Sequence, residues 1–319
     1  MPLEAKCSAK GDCTSKLTDC CFLNHQQVLG EHLLERIGVL FNQGQHLAGG
    51  DGFSPIVLDL NHDGYLSYSH LLMDVTGSGQ ISNVAWAGSS DGVLFWNKFN
   101  DGKVHDKSQY AFGNPSKGVS DLQGLSQDYD TNHDGEFSAT DEKFGEFMVW
   151  EDKNSNGLSD EGETQSLAEV GITSIHLQSD GVASTPADGI EESGRTTAKL
   201  SNGQTMTVAD ATFSYAKATT LQGSDGSKDN FKVQEGLSQI KNFNADEGDV
   251  LDLSGELAKW HAKGGNLSDY VQTVQRGNDT VIQVDATGSH DFAHPSCQVV
   301  LLNTVVSIDQ LKQHGNVVL

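Results

Sequence analysis

Asp152-Lys153-Asn154-Ser155-Asn156-Gly157-Leu158-Ser159-Asp160-Glu161-Gly162-Glu163 is the stretch on which the reading of this chain turns. It fits the frame D-x-[DN]-x-[DN]-G-x5-E throughout. In that frame the oxygens at positions one, three and five point at one centre, a glycine permits the sharp turn, and an acid at position twelve closes the shell. Here Asp152, Asn154 and Asn156 supply side-chain oxygens, Leu158 a backbone carbonyl and Glu163 a bidentate carboxylate. Hard oxygens in this arrangement suit Ca2+.

The frame recurs upstream. Asp130, Asn132, Asp134, Gly135 and Glu136 form a second copy with Asp141 at position twelve, an acid short enough that the shell would close through water. Asp59, Asn61, Asp63, Gly64 and Tyr65 form a third, but His70 stands at position twelve. Calcium prefers hard oxygen, so this third loop is expected to be open or to borrow a ligand from elsewhere. Two further copies, Asp74–Ile81 and Asn97–Val104, replace ligands by Thr76, Ser78 or Phe99 and read as structural remnants.

Asp130 and Asp152 stand 22 residues apart, too close for two full helices between loops. What fits is a short helix over Ala139–Gly145 and a strand over Phe147–Trp150; after Glu163 follow a helical turn at Leu167, a stop at Gly171 and a strand over Ile172–Leu177. The expected fold class is therefore α+β: a compact calcium-loop module of short helices and strands, followed by a smaller, mostly-β C-terminal domain. The texture divides the chain into a tail at 1–23 with Cys7, Cys13, Cys20 and Cys21, and an amphipathic helix and Gly-rich linker at 24–54. The calcium-loop module follows at 55–215 and the C-terminal region at 216–319. In the latter, Arg276-Gly277-Asn278-Asp279 is the predicted hairpin turn, and Ser307 and Gly315 bound a predicted final helix.

The charge balance limits the partners. Lys+Arg number 20 and Asp+Glu 44 in 319 residues, a formal net charge of −24. A chain this acidic is repelled by nucleic acid and by anionic membranes. No run of apolar residues is long enough for a transmembrane helix, and the N-terminus carries no secretory signal pattern. No metalloprotease frame or nucleophile elbow is present. Trp86, Trp96 and Trp150 read as core, and the scarcity of arginine (Arg36, Arg195, Arg276) argues against carboxylate or phosphate clamps.

The segments Ser54–Gly64, Ser90–Leu94, Tyr129–Gly135, Val149–Glu163 and Leu167–Ile175, in this order and spacing, resemble the calcium-dependent self-processing module of iron-regulated RTX (repeats-in-toxin) proteins. The resemblance covers roughly residues 55–215. It implies cleavage of an Asp-Pro bond at the module's start when calcium arrives, the new Asp end being able to join a lysine. The matching dipeptide here is Ser54-Pro55. Serine has no carboxylate to attack its own peptide carbonyl, so the expectation is a calcium-folded module that is not an enzyme. The alternative is a module that cleaves its own chain before Pro55.

In the last third, Gly223-Ser224-Asp225-Gly226-Ser227-Lys228-Asp229-Asn230-Phe231 resembles a worn RTX nonapeptide with one residue inserted. The order of segments from there to the C-terminus resembles the target region of type I secretion substrates. Together the resemblances imply a secreted or cell-surface calcium-binding protein, or the C-terminal module of an RTX adhesin or exoprotein. Its partners would be Ca2+ and the type I secretion machinery.

Overall fold

The computed structural model describes residues 51–319. The four cysteines of the tail and the helix expected at Asn24–Gln43 lie outside the described residues.

Twelve strands form one sheet in which every pairing is antiparallel. In chain order they are β1 (Asp51–Phe53), β2 (Ile56–Leu58), β3 (Tyr68–Met73), β4 (Ser82–Ala87), β5 (Gly92–Trp96) and β6 (Glu136–Ser138). Then come β7 (Phe147–Trp150), β8 (Thr164–Ser166), β9 (Ile172–His176), β10 (Ser184–Ala187), β11 (Ile190–Leu200) and β12 (Thr205–Lys217). The path runs β6-β9-β11-β12-β2-β5-β7-β8, with β1 and β4 also on β12, β3 on β4 and β10 on β11. The sheet curls into a half-barrel.

Both faces of this sheet are covered. On β2, Val57 faces a core built on Phe53, Trp86, Tyr110, Trp150 and Phe213, whereas Ile56 and Leu58 face a second core with Leu122, Phe137, Phe147 and Ile175. Successive strand residues point to opposite sides, so a three-residue apolar run serves two cores. Helix α1 (Asp121–Tyr129) lies over the second core, and α2 (Leu167–Val170) is a single turn with a Ser166/Glu169 capping box and a left-handed cap at Gly171.

The fold is therefore mostly β, with 38% of the described residues in strands and 15% in helices, which corrects the expected α+β class. Two local causes account for the difference. The predicted helix over Ala139–Gly145 is a set of turns ending in a 3-10 turn at Phe144–Glu146. The long strand β11 alternates buried and exposed positions along its whole length, but its inward residues include Glu192, Gly194, Thr196 and Ala198. Small and polar inward residues give no hydrophobic alternation to read. Glu192 is tolerated there because Arg195 clamps it, with Nε to Oε2 at 2.8 Å and Nη2 to Oε1 at 3.0 Å, and Tyr68 donates to it at 2.6 Å. The scarcity of arginine did not preclude an internal clamp.

The last third adds two small sheets. Strands β13 (Thr219–Gln222), β15 (Gly236–Lys241) and β19 (Cys297–Leu301) pair in parallel, and so do β14 (Asn230–Lys232), β16 (Val250–Asp252) and β20 (Val317–Val318). From β13 to β16 the chain alternates between the two sheets, winding as a short coil. The hairpin β17 (Val271–Arg276) and β18 (Asp279–Val284) closes one sheet through β19. Helix α3 (Ala258–Lys263) precedes the hairpin, and α4 (Ile308–His314) runs from its Ser307/Gln310 capping box to Gly315 as predicted. Leu72 and Ile81 of the first sheet pack with Leu237, Val281 and Val300 of this part, and Gln239 accepts a buried hydrogen bond from the Ile81 amide at 2.7 Å.

Helix α1 is anchored by two buried acids. Asp121 accepts from the Phe112 and Gly113 amides, and Asp210 accepts from the Asp121 amide at 3.2 Å. Burial is the main cause that pushes the Asp121 carboxyl up to about 8. Unfolded, it would titrate at ~4, so the native state holds the extra proton between those values. Its contribution is thus fully present below the unfolded value and is lost as pH rises toward 8. In chelator, the melting temperature of the wild type is expected to fall from about pH 5 to pH 8 more steeply than that of Asp121→Asn. Parallel pH profiles would refute the assignment.

Candidate metal-binding loops

Five loops share one backbone form. Position four is left-handed in each, with φ of 57° at His62, 68° at Gly77, 54° at Asn100, 57° at His133 and 55° at Ser155. Position six is a left-handed glycine in each, at Gly64, Gly79, Gly102, Gly135 and Gly157. The glycine amide donates to the side chain at position one every time. The distances are 3.0 Å to Asp59, 2.6 Å to Asp74, 3.0 Å to Asn97, 3.0 Å to Asp130 and 2.8 Å to Asp152. The two copies read as remnants keep this whole frame and differ only in the donors they carry.

The loop at 152–163 has the fullest donor set. Asp152 and Glu163 are both buried, at 3% and 4% exposure. Glu163 reaches back over the loop, accepting from the Asp160 amide at 3.1 Å and the Asn154 amide at 3.4 Å. Burial pushes the Asp152 carboxyl up to about 6, with the Glu163 charge adding to the rise. Asp160, at position nine, accepts from the side-chain amides of Asn154 and Asn156 at 3.0 and 2.7 Å. Its place at position nine of the frame is the sequence signal that marks it as part of the loop. The loop is buttressed from the last third: Arg276 Nε donates to the carbonyls of Asn156 at 2.8 Å and Leu72 at 3.1 Å. Position six must be glycine here also for space, since a Cβ on Gly157 would meet the Leu72 carbonyl oxygen at 2.2 Å.

In the loop at 130–141, Asp141 plays the part of Glu163. It accepts from the Ser138 and Thr131 amides, each at 2.8 Å. Asn132 and Asp134 lie at the exposed tip, where the Asn132 side-chain amide donates to Asp134 at 2.9 Å. The Glu136 side chain turns away to Ser174, Lys199 and His176, leaving its main-chain carbonyl as the group it can offer.

In the loop at 59–65, Asn61 and Asp63 make the same tip, and Tyr65 is 76% exposed. His70 lies in β3 and faces Asp188 at 4.0 Å, outside the loop. One oxygen of Asp59 accepts from Gly64; the other, Oδ1, is buried without a hydrogen-bond partner.

These donor sets fit a hard divalent cation. They consist of carboxylate, amide and carbonyl oxygens, and they leave a buried carboxylate oxygen unpaired and two buried acids side by side. Among the described residues no group of three His, Cys, Asp or Glu side chains forms a metal cluster by itself, so a site would draw on Asn and main-chain oxygens. Calcium, when bound, would be held by Asp152, Asn154, Asn156, the Leu158 carbonyl and Glu163 in one loop. In the next it would be held by Asp130, Asn132, Asp134, the Glu136 carbonyl and Asp141.

Ser54 and Pro55 occupy no loop. Phe53 pairs with Phe213 and Ile56 with Asp210, so the dipeptide continues one extended pairing along β12. Pro55 accepts from the Ala211 amide at 3.1 Å, and Ser54 Oγ lies 3.1 Å from Thr212 Oγ1. Cys297 is buried, and burial pushes its thiol up to about 12, which leaves it unreactive.

If charge count and completeness set affinity, Asp152→Ala and Glu163→Ala should raise the calcium midpoint most, Asp130→Ala nearly as much and Asp74→Ala little. Calorimetric titration of the four variants checks the ranking. Equal losses at Asp74 and Asp152 would mean that the shared backbone frame outweighs the donors.

Residues 56–214 match the family model described as the SPM domain. Over 136 residues the chain is 29% identical to the iron-regulated protein FrpA of Neisseria meningitidis serogroup C, a match covering 39% of this chain and 12% of that protein. The chain thus spans only a small part of that relative's length. Among the described residues no helix is long and apolar enough to cross a membrane. Over residues 56–214, the stretch that holds the half-barrel and the five loops, the chain is similar to SPM-domain proteins.

Proposed function

We propose that residues 55–215 are a calcium-folded module of a secreted RTX-type exoprotein or adhesin, and that the module does not cut its own chain. The observation that carries this reading is the loop frame repeated five times, with acids at positions one and twelve in the loops beginning at Asp130 and Asp152. Without metal, buried carboxylates in these loops repel one another in a chain of net charge −24. Calcium neutralises them only where the loops have closed, so binding favours the folded state. At ~100 times the dissociation constant each site adds ~2.7 kcal/mol, and three sites would reach on the order of 8 kcal/mol, comparable to the stability of a whole domain.

Self-cleavage before Pro55 is the second reading, favoured by the resemblance of residues 55–215 to the self-processing module of iron-regulated RTX proteins and by the retained proline. Against it stands Ser54, which has no carboxylate and sits 5% exposed inside a continuous strand pairing. A serine hydroxyl would need a base, and its hydrogen-bond neighbour is the Thr212 hydroxyl.

Chelator should lower the melting point of this module far enough that it is largely unfolded at about 37 °C by circular dichroism, and millimolar calcium should restore it there with the chain at full mass for hours. Identical spectra in the two conditions would sink the calcium reading. A fragment beginning at Pro55 would establish the second reading instead. Ser54→Asp is expected to gain slow calcium-dependent cleavage there.

Export through a type I system is proposed from the resemblance of the last third, which carries the coil of parallel strands and the capped helix α4. Deleting Ser307–Leu319 should block secretion while calcium uptake by the loops upstream persists. Undiminished export of the shortened chain would refute it.

A further inference from the structure

The loop at 59–67 has no acid at its own position twelve, and the sheet brings one to it. Strand β2 pairs with β5 so that Val57 faces Val93 and Leu58 faces Gly92. One step further in the same register, Asp59 comes opposite Asp91. Like charges directly opposite each other on neighbouring strands are destabilising. Both residues are buried, Asp59 at 2% and Asp91 at 1% exposure, and each keeps one oxygen, Oδ1, buried with no hydrogen-bond partner.

The other oxygen of Asp91 has a defined task. Oδ2 accepts from the amide of Ser67, which is position nine of the loop, at 2.7 Å. In the other two loops the position-nine amide is held by the position-twelve acid: Ser138 by Asp141 at 2.8 Å and Asp160 by Glu163 at 3.1 Å. Asp91 makes the same contact from a different part of the chain. Its turn is fixed on both sides, since the Asp91 amide donates to the Gly88 carbonyl and the Gly88 amide to the Ser67 carbonyl. Gly92 packs so closely that a Cβ there would meet Leu60 at 2.6 Å and Val149 at 2.5 Å. Asp59 and Asp63 both lie near enough to Asp91 for their charges to act on it. Two unpaired buried oxygens on facing acids are what a hard cation would satisfy.

We propose that Asp91 is the missing twelfth-position ligand of the 59–67 loop, so that this loop and the turn before β5 together form a divalent-cation site for calcium. The proposal rests on the calcium reading above and deepens it. It also assigns the borrowed ligand that the histidine at position twelve calls for.

The test uses the full chain. Wild type, Asp91→Asn and His70→Ala are titrated with CaCl2 by calorimetry, and each is melted in chelator and in calcium. Asp91→Asn should take up one calcium fewer, or bind it at least about tenfold more weakly. His70→Ala should match the wild type. In chelator Asp91→Asn should melt no lower than wild type, because an unpaired buried charge has been removed, whereas its gain on adding calcium should be smaller. A merely structural Asp91 would lower the chelator melting point and leave the titration unchanged, and that result overturns the proposal. So does an equal loss in His70→Ala. Absence of calcium uptake by the wild type would overturn the calcium reading itself; normal uptake that Asp91→Asn does not alter overturns only the Asp91 assignment.

Discussion

A side chain at the first position of a loop accepts the amide of a glycine at the sixth, and the first half of this protein is organised around that contact. It occurs five times, at Asp59, Asp74, Asn97, Asp130 and Asp152. Each instance leads from one element toward the next: β2 toward β3, β3 to β4, β5 onward, α1 to β6 and β7 to β8. The turn is tight because position four is left-handed and position six is glycine. The strands between loops are short, so small shifts in loop closure would move the pairing register of β2, β5 and β7, which form one run of the sheet.

This way of turning the chain concentrates negative charge in places that water does not reach. Asp59, Asp91, Asp130, Asp141, Asp152 and Glu163 are all buried. Backbone amides satisfy most of their oxygens, but an amide does not cancel a full charge in a low-dielectric setting. The protein offers few cations of its own in the region: Arg276 is committed to the carbonyls behind the 152–163 loop, and Arg195 to Glu192. An external dication is the simplest counterpart, which is why calcium coupling and folding belong together in the proposed function.

The last third is more than an appendage. Arg276 comes from its hairpin and Gln239 from β15, and they reach Leu72 in the first sheet and Ile81 at its border. Asp249 inside the coil accepts from the Asp229 and Asn244 amides, so an acid turning the backbone is used again where the parallel strands stack. A change in the hairpin would therefore be felt at the Asp152 loop, through Arg276 rather than through any continuous strand.

Several elements rest on local chemistry alone and were legible from the residues. The loop frame, the strand Phe147–Trp150, the capped turn at Leu167–Val170, the β17–β18 hairpin and the final helix all follow from residues within a few positions of one another, and all are present. The sequence also showed that the loop at Asp59 lacked an acid, because His70 stood in its place. Tertiary structure decided what depends on distant neighbours. The mostly-β class rests on β11 and β12, whose inward Thr, Gly and Ala positions become a face only when paired. The extended course of Ser54-Pro55 is imposed by β12 from more than a hundred and fifty residues away. Asp91, remote in sequence from the loop it serves, reaches Ser67 because β3 pairs with β4, and comes opposite Asp59 because β2 pairs with β5, relations that no local pattern encodes.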